Sequence, residues 1–442
     1  MLDPIIPELH SYAMIFSKNP RAFLTSLFEA AVDAAKPEGI IRTYLPEKPK
    51  GRLVVVGAGK GSAQMGRAFE KAWYDKYGEP VNGVIVTRYG YGCACENLEI
   101  LEAAHPVPDD AGLAASKVIL ERVANLNEDD LVVVLVSGGG SALLPAPPMG
   151  LSLQDEIDVN EVLLASGAPI SAMNTVRKHV SEIKGGRLAV AAYPAKVVSL
   201  LVSDIPGDAP EYIASGPTVP DTGNRQDALA IIDQYAMQLP DRVIDHIRSP
   251  QANAPLPTDE SFRRCEHHVI ASASKSLERA CAMALDAGIE AHILSDCIEG
   301  EAREAAHTQA AIVREIVNRD RPFKKPVLLL SGGETTVTLR GSGRGGRNTE
   351  FLLSFAIDIA GLKGVHAFSA DTDGIDGSED NAGAFADGET AGAMRSSGID
   401  PVAYLQNNDA YTAFDKVNGL FIPGPTGTNV NDFRAILITG SH

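Results

Sequence analysis

Apolar residues in this chain fall into short continuous runs separated by segments of helical spacing. Runs rich in Val, Ile and Leu cover residues 53–56, 84–86, 131–136, 197–202, 269–271, 292–294, 327–330 and 365–368. A run without polar alternation suits a strand buried on both faces, as in parallel sheets covered by helices. The pattern therefore predicts an α/β protein with largely parallel sheets. Helical spacing follows two glycine turns, over residues 63–73 and 351–359. The stretch 249–261 (SPQANAPLPTDES) is rich in Pro, Asn and Ser and reads as a linker. Two domains result: residues 1–248, of Rossmann-like type, and residues 262–442, a second α/β domain. The first ~45 residues read as helices that could pack on either domain.

Composition narrows the class. A chain of 442 residues with 45% hydrophobic content can bury a large core. Its 39 basic and 57 acidic residues give a net charge of −18, which opposes nucleic acid and anionic membrane surfaces. Any anionic ligand must then be held by locally placed Lys, Arg and backbone N–H groups. The five cysteines are odd in number and thinly spread, against a disulfide framework, and Cys93-x-Cys95 lacks a second pair at zinc spacing. Residues 1–18 carry Asp3, Glu8 and His10 and do not read as a signal peptide. The apolar run 131–136 falls far short of the ~20 residues of a membrane span. A cytoplasmic protein without nucleic-acid or membrane partners is expected, and the oligomeric state, a homo-oligomer included, stays open.

Glycine-rich turns at strand ends carry the candidate chemistry. Gly57-Ala58-Gly59-Lys60-Gly61-Ser62 joins a strand to a helix start, where unpaired N–H groups and the helix dipole favour anions. The dinucleotide fingerprint would need glycine at Ser62 and an acidic residue after the next strand, which instead ends in Thr87-Arg88. The Walker pattern fails as well, because Gly61 follows the lysine. A tight structural turn is the alternative. Ser137-Gly138-Gly139-Gly140-Ser141 would let a ligand approach the main chain closely, or is a flexible turn. Residues 174–187 hold Asn174, Arg177, Lys178, His179, Lys184 and Arg187, a basic run that composition alone reads as a solvated helix face. Asp204 follows an apolar strand, where a carboxylate can act as a base, hold a metal, or cap a helix.

In the C-terminal half, Gly332-Gly333-Glu334 leads into the Gly/Arg-rich segment 341–347, whose Arg347 suits phosphate. Asp371, Asp373 and Asp376 suggest a calcium loop, but the twelfth position is Ala382 rather than glutamate. A magnesium or nucleotide-proximal role is preferred over a plain Asp/Gly turn. Together these loops offer positioning, cations and carboxylates, which is the equipment of phosphoryl transfer.

The motifs VVGAGKGSAQM, LVSGGGSALL, MNTVRKHVSEIKGGRLA, LLVSDIPGD, IASGPTVPD, LSGGETTVTLRGSGRGGRNTEFLLSFA and FSADTDGIDG span most of the chain in order. In them the sequence resembles the class II glycerate 2-kinases, built of a glycerate-kinase domain and a MOFRL domain. The resemblance implies conversion of D-glycerate and ATP to 2-phosphoglycerate and ADP with Mg2+, in a cleft between the domains. It also implies catalytic roles for Lys60, Asp204 and Arg347, with Asp204 as the base. Gly59, Ser62, Ser137, Gly138, Gly139, Gly140, Ser141, Asn174, Arg177, Lys178, Gly332, Gly333, Glu334 and Asp373 would line the substrate and nucleotide sites. Arg177 or Lys178 would meet the substrate carboxylate, and Asp371 and Asp373, with Glu334, are metal candidates. Members of the family are also called hydroxypyruvate reductases, so an NAD(P)H-dependent reductase of tartrate degradation is the alternative.

Overall fold

The computed structural model describes residues 19–220 and 222–439, so the segment read above for a signal peptide lies outside the described residues. Two compact units form. One is Pro37–Ile270; the other joins the described residues up to Lys36 with those from Ala271 onward.

The first unit is built on a parallel six-stranded sheet of order β3-β2-β1-β4-β5-β6. Its strands are β1 (Leu53–Ala58), β2 (Gly83–Arg88), β3 (Leu98–Ala103), β4 (Leu131–Val136), β5 (Lys196–Val202) and β6 (Cys265–Ala271). Every residue of β4 is buried, as its uninterrupted LVVVLV run predicts for a strand covered on both faces. It runs alongside β1 from Leu53↔Leu131 to Ala58↔Val136. Val56, Val134, Ile119, Val123, Leu188 and Leu201 share one core between the sheet and its helices. Helices 153–165, 170–177, 225–234 and 241–248 bury a separate cluster around Val159, Leu163, Val176, Ile232 and Val243. The β-strand order reverses direction between β1 and β4, the crevice where open α/β sheets bind ligands.

The second unit departs from the parallel expectation. Its six-stranded sheet runs β13-β12-β11-β14-β9-β7, from β7 (Glu290–Ser295), β9 (Val327–Gly333), β11 (Val365–Asp371), β12 (Gly383–Asp387), β13 (Leu420–Phe421) and β14 (Asp432–Ile438). Only β7 and β9 pair in parallel; β14 lies antiparallel to both β9 and β11. The short β8 (Gly300–Glu301) and β10 (Thr335–Thr336) form a separate two-stranded ladder. The sequence reading missed β14 because Asp432 and Arg434 interrupt its apolar run, yet all seven of its residues are buried.

The helix Pro20–Asp33, which the sequence could not assign to a domain, packs on this second unit. Asn19 caps it by accepting from the Ala22 N–H at 3.2 Å. Its apolar stripe of Phe23, Leu24, Leu27, Phe28 and Ala31 shares a core with Leu277, Ala280, Phe368 and Phe433. The chain passes between units at Ile270/Ala271, so residues 249–261 lie inside the first unit rather than between domains. Their Pro-rich composition makes 3-10 turns at Pro250–Ala252 and Glu260–Arg264. Arg187 holds that segment through the carbonyls of Ala252 and Asn253, at 3.4 and 3.1 Å. Among the described residues no helix is long and apolar enough to cross a membrane.

Candidate active site

In the first unit the turns after β1 and β4 are stitched together. The Lys60 N–H donates to the Gly138 carbonyl at 2.9 Å, and the Gly61 N–H to Ser137 Oγ at 2.9 Å. Ser62 Oγ lies 3.1 Å from Ser137 Oγ, and Thr87 Oγ1 donates to the Lys60 carbonyl at 3.1 Å. Ser62 and Ser137, expected to bind ligand, are therefore buried and bonded to each other. They fix the two loops. Gly59 takes φ +142°, and a Cβ there would meet Ser137 Oγ at 2.2 Å, so this glycine serves the same close approach.

Around the next two glycines the functional groups crowd in. A Cβ on Gly138 would lie 2.2 Å from Asp204 Oδ2. One on Gly139, at φ +80°, would lie 2.9 Å from His105 Nε2 and 3.3 Å from Lys60 Cε. A carboxylate, an ammonium stem and an imidazole thus meet two residues that offer no side chain. His105 was not foreseen, because the half-exposed strand β3 that leads to it lacks a continuous apolar run. Burial, aided by the cations Lys60 and Arg88, lowers the His105 pKa to about 4. The imidazole is neutral at pH 7.

A hydrogen-bond chain leads from the same loop to Arg177. Ser141 Oγ and Ser215 Oγ are 2.9 Å apart, and Ser215 Oγ donates to Asn174 Oδ1 at 2.9 Å. Arg177 donates to Asn174 Oδ1 at 3.3 Å and to Asn160 Oδ1 at 2.8 Å. Ala214, Ser215 and Gly216 all adopt left-handed backbone (φ 50°, 60° and 58°), at about 1–2 kcal/mol for each non-glycine residue. That strain sets Ser215 between Ser141 and Asn174. Burial lowers the Arg177 pKa against the opposing pull of Glu156, and among the described residues Arg177 forms no ion pair.

The rest of the basic run is not the solvated face that composition suggested. Lys178 and Lys184 are buried, and Lys184 pairs with buried Glu156. Arg187 Nη1 donates to the carbonyls of Lys178 and Lys184, at 2.6 and 3.2 Å. Lys184 and Arg187 tie the helical layer together.

In the second unit the residues gather on Arg347, the first residue of helix Arg347–Asp358. Its Nε donates to Asp432 Oδ1 at 2.7 Å, its Nη2 to Asp371 Oδ2 at 2.6 Å, and its Nη1 to Glu334 Oε1 at 3.3 Å. Burial works against the cation, but Asp432 and Asp371 more than offset it and hold the guanidinium above its ordinary pKa. Burial likewise pushes the Asp371 carboxyl up, against the pull of Arg347. Gly332 and Gly333 belong to β9 and pair with Phe433 and Asp432, rather than forming an open loop.

The aspartates of the 371–376 turn have diverged in their tasks. Asp371 Oδ1 accepts the Asp373 N–H at 3.0 Å, and Asp373 Oδ1 accepts the Ile375 N–H at 2.8 Å. Asp376 accepts the N–H groups of Asn348 and Thr349, both at 2.9 Å, and so caps the helix that carries Arg347. Among the described residues no group of three or more His, Cys, Asp or Glu could hold a metal ion. Asp371 Oδ1 and Oδ2 each accept one hydrogen bond, from the Asp373 N–H and from Arg347.

A model of a domain of unknown function, DUF4147, matches residues 23–248, and the MOFRL family model matches residues 327–432. A protein named D-glycerate 2-kinase from Thermotoga maritima is 41% identical over 414 residues, which cover 93% of this chain and 97% of that protein. A crystal structure of glycerate kinase from Thermotoga maritima superposes with a TM-score of 0.87 at 40% identity, covering 96% of this chain and 100% of that one. The chain belongs to the class II glycerate kinase family. Names within the glycerate kinase relatives are not uniform. One from Agrobacterium vitis, 49% identical over 95% of this chain and 94% of its own length, is called "Putative hydroxypyruvate reductase".

Proposed function

We propose that this protein is a glycerate 2-kinase, transferring the γ-phosphoryl group of ATP to the C2 hydroxyl of D-glycerate. The observation that carries the reading is the crowding of Asp204 and Lys60 on the side-chain-free pair Gly138-Gly139. Asp204 is the base that accepts the hydroxyl proton, and Lys60 offsets charge on the transferred group. The glycines let the reacting atoms come close to both. His105, being neutral, adds no competing charge.

Arg177, with only amide oxygens as partners among the described residues, is the group for the substrate carboxylate, and the serine–asparagine chain ties it to the glycine loop. By its resemblance to the family, Arg347 takes a phosphate-stabilising role, through its Nη1 edge toward half-exposed Glu334. Mg2+, when present, would screen the phosphate charges, held chiefly by the nucleotide, since Mg2+ commonly needs only one or two carboxylates beside substrate phosphates.

The reductase reading rests on the Agrobacterium relative's name. Against it, Ser62 stands where a dinucleotide turn has its third glycine and is consumed by Ser137, and β2 ends in Thr87-Arg88 without an acid for the ribose. Paired assays decide. Purified protein with D-glycerate, ATP and Mg2+ should form ADP and 2-phosphoglycerate, whereas hydroxypyruvate with NADH or NADPH should show no loss of absorbance. Cofactor oxidation without ADP formation would overturn the kinase assignment.

A further inference from the structure

Asp432 carries more than an ordinary ion pair. Its Oδ1 accepts from Arg347 Nε at 2.7 Å and from Asn348 Nδ2 at 2.8 Å; its Oδ2 accepts from Arg434 Nη2 at 2.5 Å. It stands directly opposite Asp371 across the antiparallel β11–β14 pair, and Asp371 takes the Nη2 of the same arginine. Like charges directly opposite on neighbouring strands destabilise a sheet unless a cation lies between them. Arg347 is that cation.

Arg434 behind Asp432 is fully buried over the Phe351 ring, at 5.1 Å from its centroid. Its Nη2 reaches Thr335 Oγ1 at 2.9 Å, while its Nε and Nη1 have no hydrogen-bond partner among the described residues. Buried donors left unsatisfied are costly, and a buried ion pair is often replaceable by apolar side chains without loss of stability. Stability therefore does not explain why the Asp432–Arg434 pair is present. Its geometric consequence does: with Nε and Nη2 both held, only the Nη1 edge of Arg347 faces a partner that is half-exposed, Glu334.

We propose that Asp432, backed by Arg434, is a positioning residue that fixes the guanidinium of Arg347 with its Nη1 edge available to the phosphoryl group. This rests on the kinase reading above, in which Arg347 stabilises the transferred phosphate. Held beforehand, the guanidinium meets developing charge without reorganising.

The test is a mutant cycle on the full chain. Asp432→Asn should lower kcat by about tenfold or more while leaving KM for glycerate within about threefold. In an Arg347→Ala background the same substitution should change kcat by less than about twofold, since the arginine it acts through is gone. Guanidine added to the solution should partly restore Arg347→Ala but not the double variant. Equal, independent losses in both backgrounds, or equal rescue, would overturn the proposal. Should Asp432→Asn not fold, Asp432→Glu keeps the charge, displaces it, and enters the same cycle.

A readout free of activity separates this inference from the kinase reading. In protein labelled with 15N-arginine, the Arg347 Nε–H signal, identified by its loss in Arg347→Lys, should be sharp and slowly exchanging. It should broaden or exchange rapidly in Asp432→Asn. An unchanged signal sinks the positioning role even if the enzyme is a kinase. A signal that changes as expected in a protein forming no ADP sinks the kinase reading alone.

Discussion

The two charged sites of this protein are prepared by opposite means. Around Lys60 the groundwork is done by missing side chains: Gly138 and Gly139 admit Asp204, Lys60 and His105, and the strained Ala214–Gly216 turn sets a neutral hydrogen-bond chain. Around Arg347 it is done by interlocked charges, one guanidinium held by Asp432, Asp371 and Glu334. A site shaped by close backbone approach is broken by adding a methyl group. A site shaped by charge pairing is broken by removing a charge.

The comparison can be pressed hardest at the Lys60 site. Asp204→Asn keeps the shape beside Gly138 but removes the base, so kcat should fall by about 10³-fold with KM for glycerate little changed, as read by coupled ADP release. A fall confined to KM would make Asp204 a binding group instead. Gly138→Ala leaves every charge in place and adds one methyl 2.2 Å from Asp204 Oδ2. Displacing the carboxylate in this way should cost at least about tenfold in kcat. Wild-type turnover in Gly138→Ala would refute the close-approach argument.

At the arginine site the matching probe is Asp376→Ala, which uncaps the helix bearing Arg347 at the Asn348 and Thr349 N–H groups. It should lower stability by about 1–2 kcal/mol in denaturant titration, and the uncapped helix start should also lower kcat. Stability loss without any activity change would separate the cap from the site.

The smallest effect is in pH dependence. Because His105 titrates near 4 in the folded protein and near 6.5 otherwise, the unfolded chain alone takes up this proton as pH falls through that window. Its contribution to stability is thus complete above pH 6.5 and lost towards pH 4. Thermal melts of His105→Gln should show a shallower decline across that interval than wild type, and parallel curves would mean that the imidazole is not held neutral.

The parallel sheet was readable because its strands are covered on both faces and so carry unbroken apolar runs; β1, β2, β4 and β5 all fall where those runs lie. Strand β14 was not readable, since Asp432 and Arg434 sit in its buried face, where their mutual pairing together with Arg347, Asn348 and Thr335 makes them tolerable. The linker was misplaced for a related reason. Proline-rich composition marks turns, and whether a turn separates domains depends on what packs around it, here Arg187 and His179 against Ala252. His105 escaped notice because nothing local distinguishes it from any histidine ahead of a proline.

By itself, then, the sequence determined the α/β class, the glycine turns at strand ends and the candidacy of Lys60, Asp204 and Arg347, because hydrophobic period and glycine content are local properties of the chain. Tertiary structure alone decided that Ser62 and Ser137 bind each other, that Lys178 and Lys184 are buried in the helical layer, that Asp376 caps a helix, and that Asp432 holds Arg347. Those facts join residues far apart in the chain, and the partner that neutralises a buried polar group is set by packing in space, which no local pattern records.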